Sequence, residues 1–198
     1  MARGRLIAFE GLDQSGKQTQ AEWLVAAFEA AGYVVRTVSF PDYATAIGAE
    51  IGQALQGHRT YGPDVLQLLY IANRYEHAPA IRQWLADGVM VVADRYSASS
   101  LAYGDAQGLD LAWLADVQRH LPAADLTFLL DIAPETSLGR KQAARDKFER
   151  DLPLLSRVRE SYHRQARADG WCQIDGTRTP DEVRADVVSV VRGRLGLL

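Results

Sequence analysis

The chain has 198 residues, 47% hydrophobic and 24% charged, with 22 basic and 25 acidic side chains and a formal net charge of −3. That length supports one domain with a substantial core, and those fractions exclude disordered, collagenous and coiled-coil chains. The single cysteine, Cys172, excludes an internal disulfide framework, and no Cys/His spacing resembles a zinc site.

Short apolar runs alternate with longer amphipathic stretches. Leu6 to Phe9 reads as a buried strand that opens into the glycine-rich segment Gly11 to Gly16. Lys17 to Ala31 has helical spacing and ends at Gly32, followed by a strand from Val34 to Phe40 that Pro41 stops. A short helix is expected over Ile47 to Leu55 and a long one over Asp64 to Leu85, started by Pro63. Val89 to Ala93 is nearly all apolar, as a strand covered on both faces should be, and Asp94 terminates it. Leu111 to Leu121 reads as a helix and Leu126 to Ile132 as a strand. Pro134 to Arg145 and Leu152 to Asp169 read as helices around a charged break. Cys172 to Asp175 is a last short strand, and Thr179 to Leu195 a capped helix. Five apolar strands separated by helices predict an α/β fold with a parallel sheet, and no repeat or linker divides residues 1–198. Met1 to Leu6 passes directly into Phe9-Glu10-Gly11 without a leader's apolar stretch. No apolar run approaches the roughly 18 residues of a spanning helix, so a cytoplasmic protein without a membrane partner is expected.

Only three of the basic residues are lysine: Lys17, Lys141 and Lys147. A lysine in so arginine-rich a chain invites a local reason. For Lys17 the reason is its motif. Gly11-Leu12-Asp13-Gln14-Ser15-Gly16-Lys17 is a phosphate-binding loop between a strand and a helix. Its backbone N–H groups and the helix N-terminus can surround a polyphosphate, and a slender ammonium fits between outer phosphates where a guanidinium fork does not. The plain alternative is a glycine-rich turn joining strand to helix. The pattern's last position, a hydroxyl that holds Mg2+, is Gln18 here, with Thr19 turned about 100° further round the helix. A Gln18 carbonyl can ligate the metal directly or through water.

Asp94-Arg95-Tyr96-Ser97 closes the third strand at the sheet edge where ligands of open α/β sheets bind. Asp94 can hold Mg2+ and Arg95 can clamp a phosphate, although a plain salt bridge would also close the strand. Tyr70 and Arg74 share one helix face and suit a base stacked and read at its edge; a core tyrosine beside a surface arginine is the plain alternative. Arg140 to Arg167 holds nine basic and four acidic residues, and beside a phosphate loop its charged break reads as a basic lid. The chain as a whole is acidic, which argues against a nucleic-acid partner. None of His58, His77, His120 or His163 has a sequence neighbour that suggests catalysis.

These segments together resemble thymidylate kinases. The matching stretches are Phe9-Glu10-Gly11-Leu12-Asp13, Phe40-Pro41, Tyr70 to Glu76, and Asp94-Arg95-Tyr96 with Ser99 and Ala102-Tyr103. The resemblance implies a five-stranded P-loop kinase of the nucleoside monophosphate kinase type, with a lid at about 140–151, moving the γ-phosphoryl of ATP to dTMP in dTTP synthesis. It implies ATP contacts from Gly11, Asp13, Gln14, Ser15, Gly16, Lys17, Gln18, Thr19 and Arg140. Asp13 would face the acceptor sugar, Arg95 its phosphate and Tyr70 its base. Arg74 would meet the base edge, and Phe40 and Pro41 would line its pocket. Ser99, Phe148 and Glu149 would complete the acceptor site, and Tyr103 would crowd C2′. Asp94 is the expected Mg2+ anchor. The resemblance implies a transition-state cation from either the P-loop or the lid. Gln14 cannot supply it, while the lid offers Arg140, Arg145, Lys147 and Arg150, of which Arg145 is the expected residue. Three positions depart from the family: Gln18, Gly104 where a polar residue often follows the tyrosine, and Lys147 where the lid usually has arginine. The resemblance also implies a homodimer, with Leu68 and Trp84 as candidates for its face.

Two other readings remain open at this level. One is a deoxynucleoside kinase or another monophosphate kinase of the same fold. The other is a P-loop module that binds nucleotide without turnover, which Gln18 alone favours.

Overall fold

The computed structural model describes residues 3–140 and 151–198. Strand β1 (Leu6–Glu10) is buried along its whole length, and its alternate side chains serve opposite faces of the sheet. Ile7 and Phe9 enter one core, where Phe9 stacks on Phe128 with ring centroids 5.1 Å apart; Leu6 and Ala8 enter the other. Burial on both faces explains why this strand reads as a continuous apolar run. Around it lie β2 (Val35–Ser39), β3 (Met90–Asp94), β4 (Leu126–Asp131) and β5 (Cys172–Asp175). All pairings are parallel, in the order β2-β3-β1-β4-β5. Phe9 pairs with both Asp94 and Phe128, so β1 and β3 end within one residue of each other at one edge, with β4 running two residues further.

Helices α1 (Lys17–Ala30) and α8 (Pro180–Leu195) cover one face through Phe28, Val187 and Val191. The long α3 (Pro63–Ala86), α4 (Ser97–Ala106) and α7 (Leu152–Asp169) cover the other through Ile81, Ala102 and Val158. The shorter α2 (Ala46–Leu55), α5 (Leu111–Gln118) and α6 (Pro134–Arg140) pack on α3, α4 and α7. Thr179 caps α8 in a reciprocal capping box with Glu182, as its sequence signature predicts. Asp151 caps α7 by accepting from Leu154 N at 2.9 Å.

Two elements differ from the sequence expectation. Helix α4 was not expected, because its buried residues Ala98, Ser99, Ser100, Ala102, Gly104 and Ala106 are small and form no apolar stripe. Helix α5 ends at Gln118 rather than Leu121. Leu121 N donates to Gln118 O in a tight turn, and the following Pro122 disfavours a helical residue before it. Helix α6 is described as far as Arg140; the rest of the expected Pro134–Arg145 helix and the lid residues Lys141, Arg145, Lys147, Phe148 and Glu149 lie outside the described residues.

Candidate active site

The chain leaves β1 through Gly11, whose φ of +136° excludes a side chain; a Cβ there would also sit 2.4 Å from Leu130 O. Gln14 and Gly16 take left-handed conformations at φ 61° and 96°, which turn successive amides toward the loop's concave side. Lys17 opens α1 and is buried, with its Nζ donating to Leu12 O at 2.7 Å. Burial pulls its ammonium from 10.5 down to about 8, helped by the charge of Arg95 and opposed by Asp13, Asp94 and Glu10. Ser15 Oγ is buried with no partner among the described residues. Arg140 ties the loop to the turn before α8, donating to Gln14 O and Gly176 O at 2.9 Å each. Gln18 and Thr19 are exposed, and Gln18 Nε2 donates to Glu22 at 2.8 Å.

A cleft of about 530 Å³ opens beside this loop. Asp13, Phe40, Pro41 and Tyr70 line it, and so do Arg74, Arg95, Ser99 and Tyr103. Every acceptor-site residue expected from the sequence, apart from Phe148 and Glu149, is therefore brought to one cavity. The Phe40–Pro41 peptide is cis. Arg74 is no surface residue: it is 2% exposed, donates to Ser100 Oγ at 2.8 Å and lies 5.9 Å from the Phe40 ring centroid. Its Nε is buried without a partner, a donor left for a ligand acceptor. Burial pulls the Arg74 guanidinium below its usual value, with Glu10 the largest opposing charge.

Arg95 holds a left-handed backbone at φ 62°, a conformation that costs a non-glycine residue about 1 kcal/mol or more. Its amide donates to Phe9 O at 2.9 Å, and its Nη2 to Asp13 Oδ1 at 2.8 Å. Its guanidinium lies 5.7 Å from the Tyr103 ring centroid. Burial works against its charge, but the Asp13 carboxylate together with Tyr103 and Tyr162 outweighs this and raises Arg95 well above its usual value.

Four functional residues escaped the sequence reading. Glu10, fully buried, accepts from Tyr96 N, Ser99 N, Ser99 Oγ and Tyr162 Oη. A lone acid ending an apolar strand was a signal for it. Ser100 and Gln67 line the cleft and Tyr162 backs it. Gln67 stands one turn before Tyr70, the one hint its position offered, and its Nε2 is buried without a partner. Nothing in the sequence pointed to Ser100 or Tyr162.

Gly104 does not face the cleft. A Cβ there would come within 2.4 Å of Leu114 Cδ1, so a small residue lets α4 and α5 approach, and no base contact is lost. His77 and His163 do have partners, Asp42 at 3.0 Å and Asp131 at 3.1 Å, but neither histidine lines the cleft. Burial pushes the Asp131 carboxyl up, yet the Arg159 hydrogen bond and the His163 charge hold it below its usual value. Cys172 is buried in β5 as expected.

The glycine-lysine loop thus faces the cleft through one ion pair, Asp13–Arg95. The thymidylate kinase family model matches residues 9–187. Thymidylate kinase from Plasmodium falciparum is 33% identical over 190 residues, covering 96% of this chain and 90% of its own. That of Thermomicrobium roseum is 38% identical over 193 residues, covering 92% and 91%. The solved structure of thymidylate kinase from Candida albicans superposes with a TM-score of 0.83 at 28% identity, over 98% of this chain and 93% of that one. The chain belongs to the thymidylate kinase family.

Proposed function

We propose that this chain phosphorylates dTMP to dTDP with ATP, in dTTP synthesis. The observation that carries the reading is the Asp13–Arg95 pair, which fastens the acceptor-side arginine to the donor loop. Lys17, the loop amides, Ser15 and the first turn of α1 at Gln18 and Thr19 hold the ATP phosphates. Arg140 buttresses that loop beside the donor. Tyr70 stacks on the base over Phe40 and Pro41. Arg74, with the Gln67 amide beside it, bonds the base edge, and Arg95 takes the acceptor phosphate. Tyr103, packed on Arg95, crowds C2′ and disfavours a ribose. Such transfer needs alignment and charge neutralisation rather than a strong base. Arg145 of the lid supplies the transition-state cation, and Phe148 and Glu149 close over the acceptor.

Asp94 Oδ1 is buried without a partner at the strand end facing the loop, so a hard-oxygen donor fit for Mg2+ is present. Among the described residues no cluster of three or more Asp, Glu, His or Cys exists, in keeping with an ion held by one carboxylate and the phosphates. Bound there, Mg2+ neutralises charge on the outer phosphates. Gln18 offers its carbonyl oxygen as a second donor, since its nitrogen is engaged with Glu22.

The test is ADP release with ATP and Mg2+ against dTMP, dUMP, UMP, CMP and AMP. Turnover of dTMP, with weak turnover of dUMP, is expected. Turnover of AMP or CMP without dTMP would overturn the base pocket, and binding without ADP release from any acceptor would favour a non-catalytic module. The chain works as one domain and pairs as a homodimer. Leu68 on α3 is exposed beside Val65, with Leu111 exposed on α5, whereas Trp84 packs against the core. A monomer in sedimentation would refute the pairing. No described helix is long and apolar enough to cross a membrane.

A further inference from the structure

Glu10 ends β1 at 0% exposure, a buried acid that must be fully bonded. Its Oε1 accepts from Tyr96 N at 2.8 Å and Ser99 N at 3.3 Å, in the first turn of α4. Its Oε2 accepts from Ser99 Oγ at 2.6 Å and from Tyr162 Oη at 2.9 Å. A carboxylate only accepts, and each hydroxyl owns one proton. The two hydroxyls also lie 2.9 Å apart, where either can donate to the other; the protons stay among Oε2 and the hydroxyl pair, and hydroxyl lone pairs are left for a further donor. That donor is Arg95, whose Nη1 lies 3.2 Å from Ser99 Oγ and 3.3 Å from Tyr162 Oη. A guanidinium only donates, so at the Arg95 end both hydroxyls act as acceptors.

The negative charge of Glu10 thereby reaches Nη1 through two hydroxyls, while Asp13 holds Nη2 from the other side. The guanidinium plane is fixed by three elements: the phosphate loop, α4 and α7. Tyr162 is the contribution of α7, whose N-cap is Asp151. The Tyr162 side chain is 1% exposed and is not among the residues that line the cleft. Its ring packs in the core with Leu155 and Val158, a structural duty that needs no hydroxyl.

We propose that the Tyr162 hydroxyl, polarised by Glu10, is a positioning group for Arg95, holding its guanidinium ready for the acceptor phosphate. This rests on reading Arg95 as the phosphate clamp, and the test separates the two. Tyr162→Phe keeps the ring and removes only the hydroxyl. Its KM for dTMP is expected to rise about tenfold, with KM for ATP within about twofold of the parent. In an Arg95→Ala background the same substitution is expected to change KM for dTMP by less than about twofold, because the group it positions is gone. Tyr162→Phe with an unchanged KM for dTMP would overturn the inference while leaving the clamp standing. An undiminished effect in the Arg95→Ala background would overturn it too, since the hydroxyl would then act through the general fold. An Arg95→Ala chain with the parent's KM for dTMP would sink the clamp reading itself, and the inference with it.

Discussion

Arg95 Nη2 lies 2.8 Å from Asp13 Oδ1, so the residue that follows the third strand is paired with the loop that follows the first. The parallel register makes this possible, because Phe9 and Asp94 are direct partners and both chains turn at the same height. A planar fork is required to meet Asp13, the hydroxyl pair and a phosphate at once. Arg95→Lys is therefore expected to lower kcat/KM for dTMP about a hundredfold while ATP affinity, measured by calorimetry, stays within about threefold. A lysine variant with parental kcat/KM would mean that charge alone suffices.

Lys17 makes nucleotide binding pH-dependent. Burial lowers its ammonium to about 8 in the ligand-free protein, and a polyphosphate restores a strong preference for the charged form. Binding must then take up a proton once the free lysine has lost it. ATP affinity is expected to be level below pH 8 and to weaken as pH rises through it, by up to about tenfold per unit. Calorimetry in buffers of different ionisation heat reads both the affinity and the proton uptake. Affinity that stays constant from about pH 7 to about pH 9.5 would exclude this role.

The two lid arginines should separate by kinetic parameter. Arg140 bonds loop carbonyls, so Arg140→Ala is expected to raise KM for ATP with a smaller change in kcat. Arg145→Ala is expected to lower kcat by about a thousandfold with little change in either KM, as loss of a transition-state cation does. Near-parental turnover by Arg145→Ala would remove it from the mechanism.

Gln67 shows a conflict between binding and stability. Its buried, unpartnered Nε2 costs folding energy that a bound base can recover. Gln67→Leu is expected to raise the melting temperature of the ligand-free chain and to raise KM for dTMP. A variant that melts lower would show that the amide is already satisfied.

Thr179 lies away from the cleft and reports on the fold alone. Thr179→Ala removes the side-chain half of the capping box, leaving only the backbone N–H of residue 179 to donate to Glu182. It is expected to cost about 1 kcal/mol, lowering the melting temperature by about 2–4 °C with KM for dTMP unchanged.

The local signals were strong wherever chemistry or burial follows sequence neighbours. The glycine-lysine loop, the apolar strands and the Thr179 cap each depend on residues a few positions apart, and each lies where its sequence pattern puts it. Helix α4 did not show, because close packing selected small residues and left no hydrophobic period to read. The clamp was half legible. Arg95 could be named from its motif, but not its anchoring by Ser99 and Tyr162 through Glu10, which lie 4, 67 and 85 positions from it.

The sequence by itself determined the element types apart from α4, the phosphate loop, the lysine within it and the arginine just past the strand end. These follow from local dihedral preference, hydrophobic periodicity and spacing along one chain. Tertiary structure alone decided that Arg74 is buried, that Gly104 faces a helix, and that a buried glutamate orients two hydroxyls toward Arg95. Those facts depend on which strands pair and in what register, and a side chain's partners across a sheet leave no trace in its own neighbourhood.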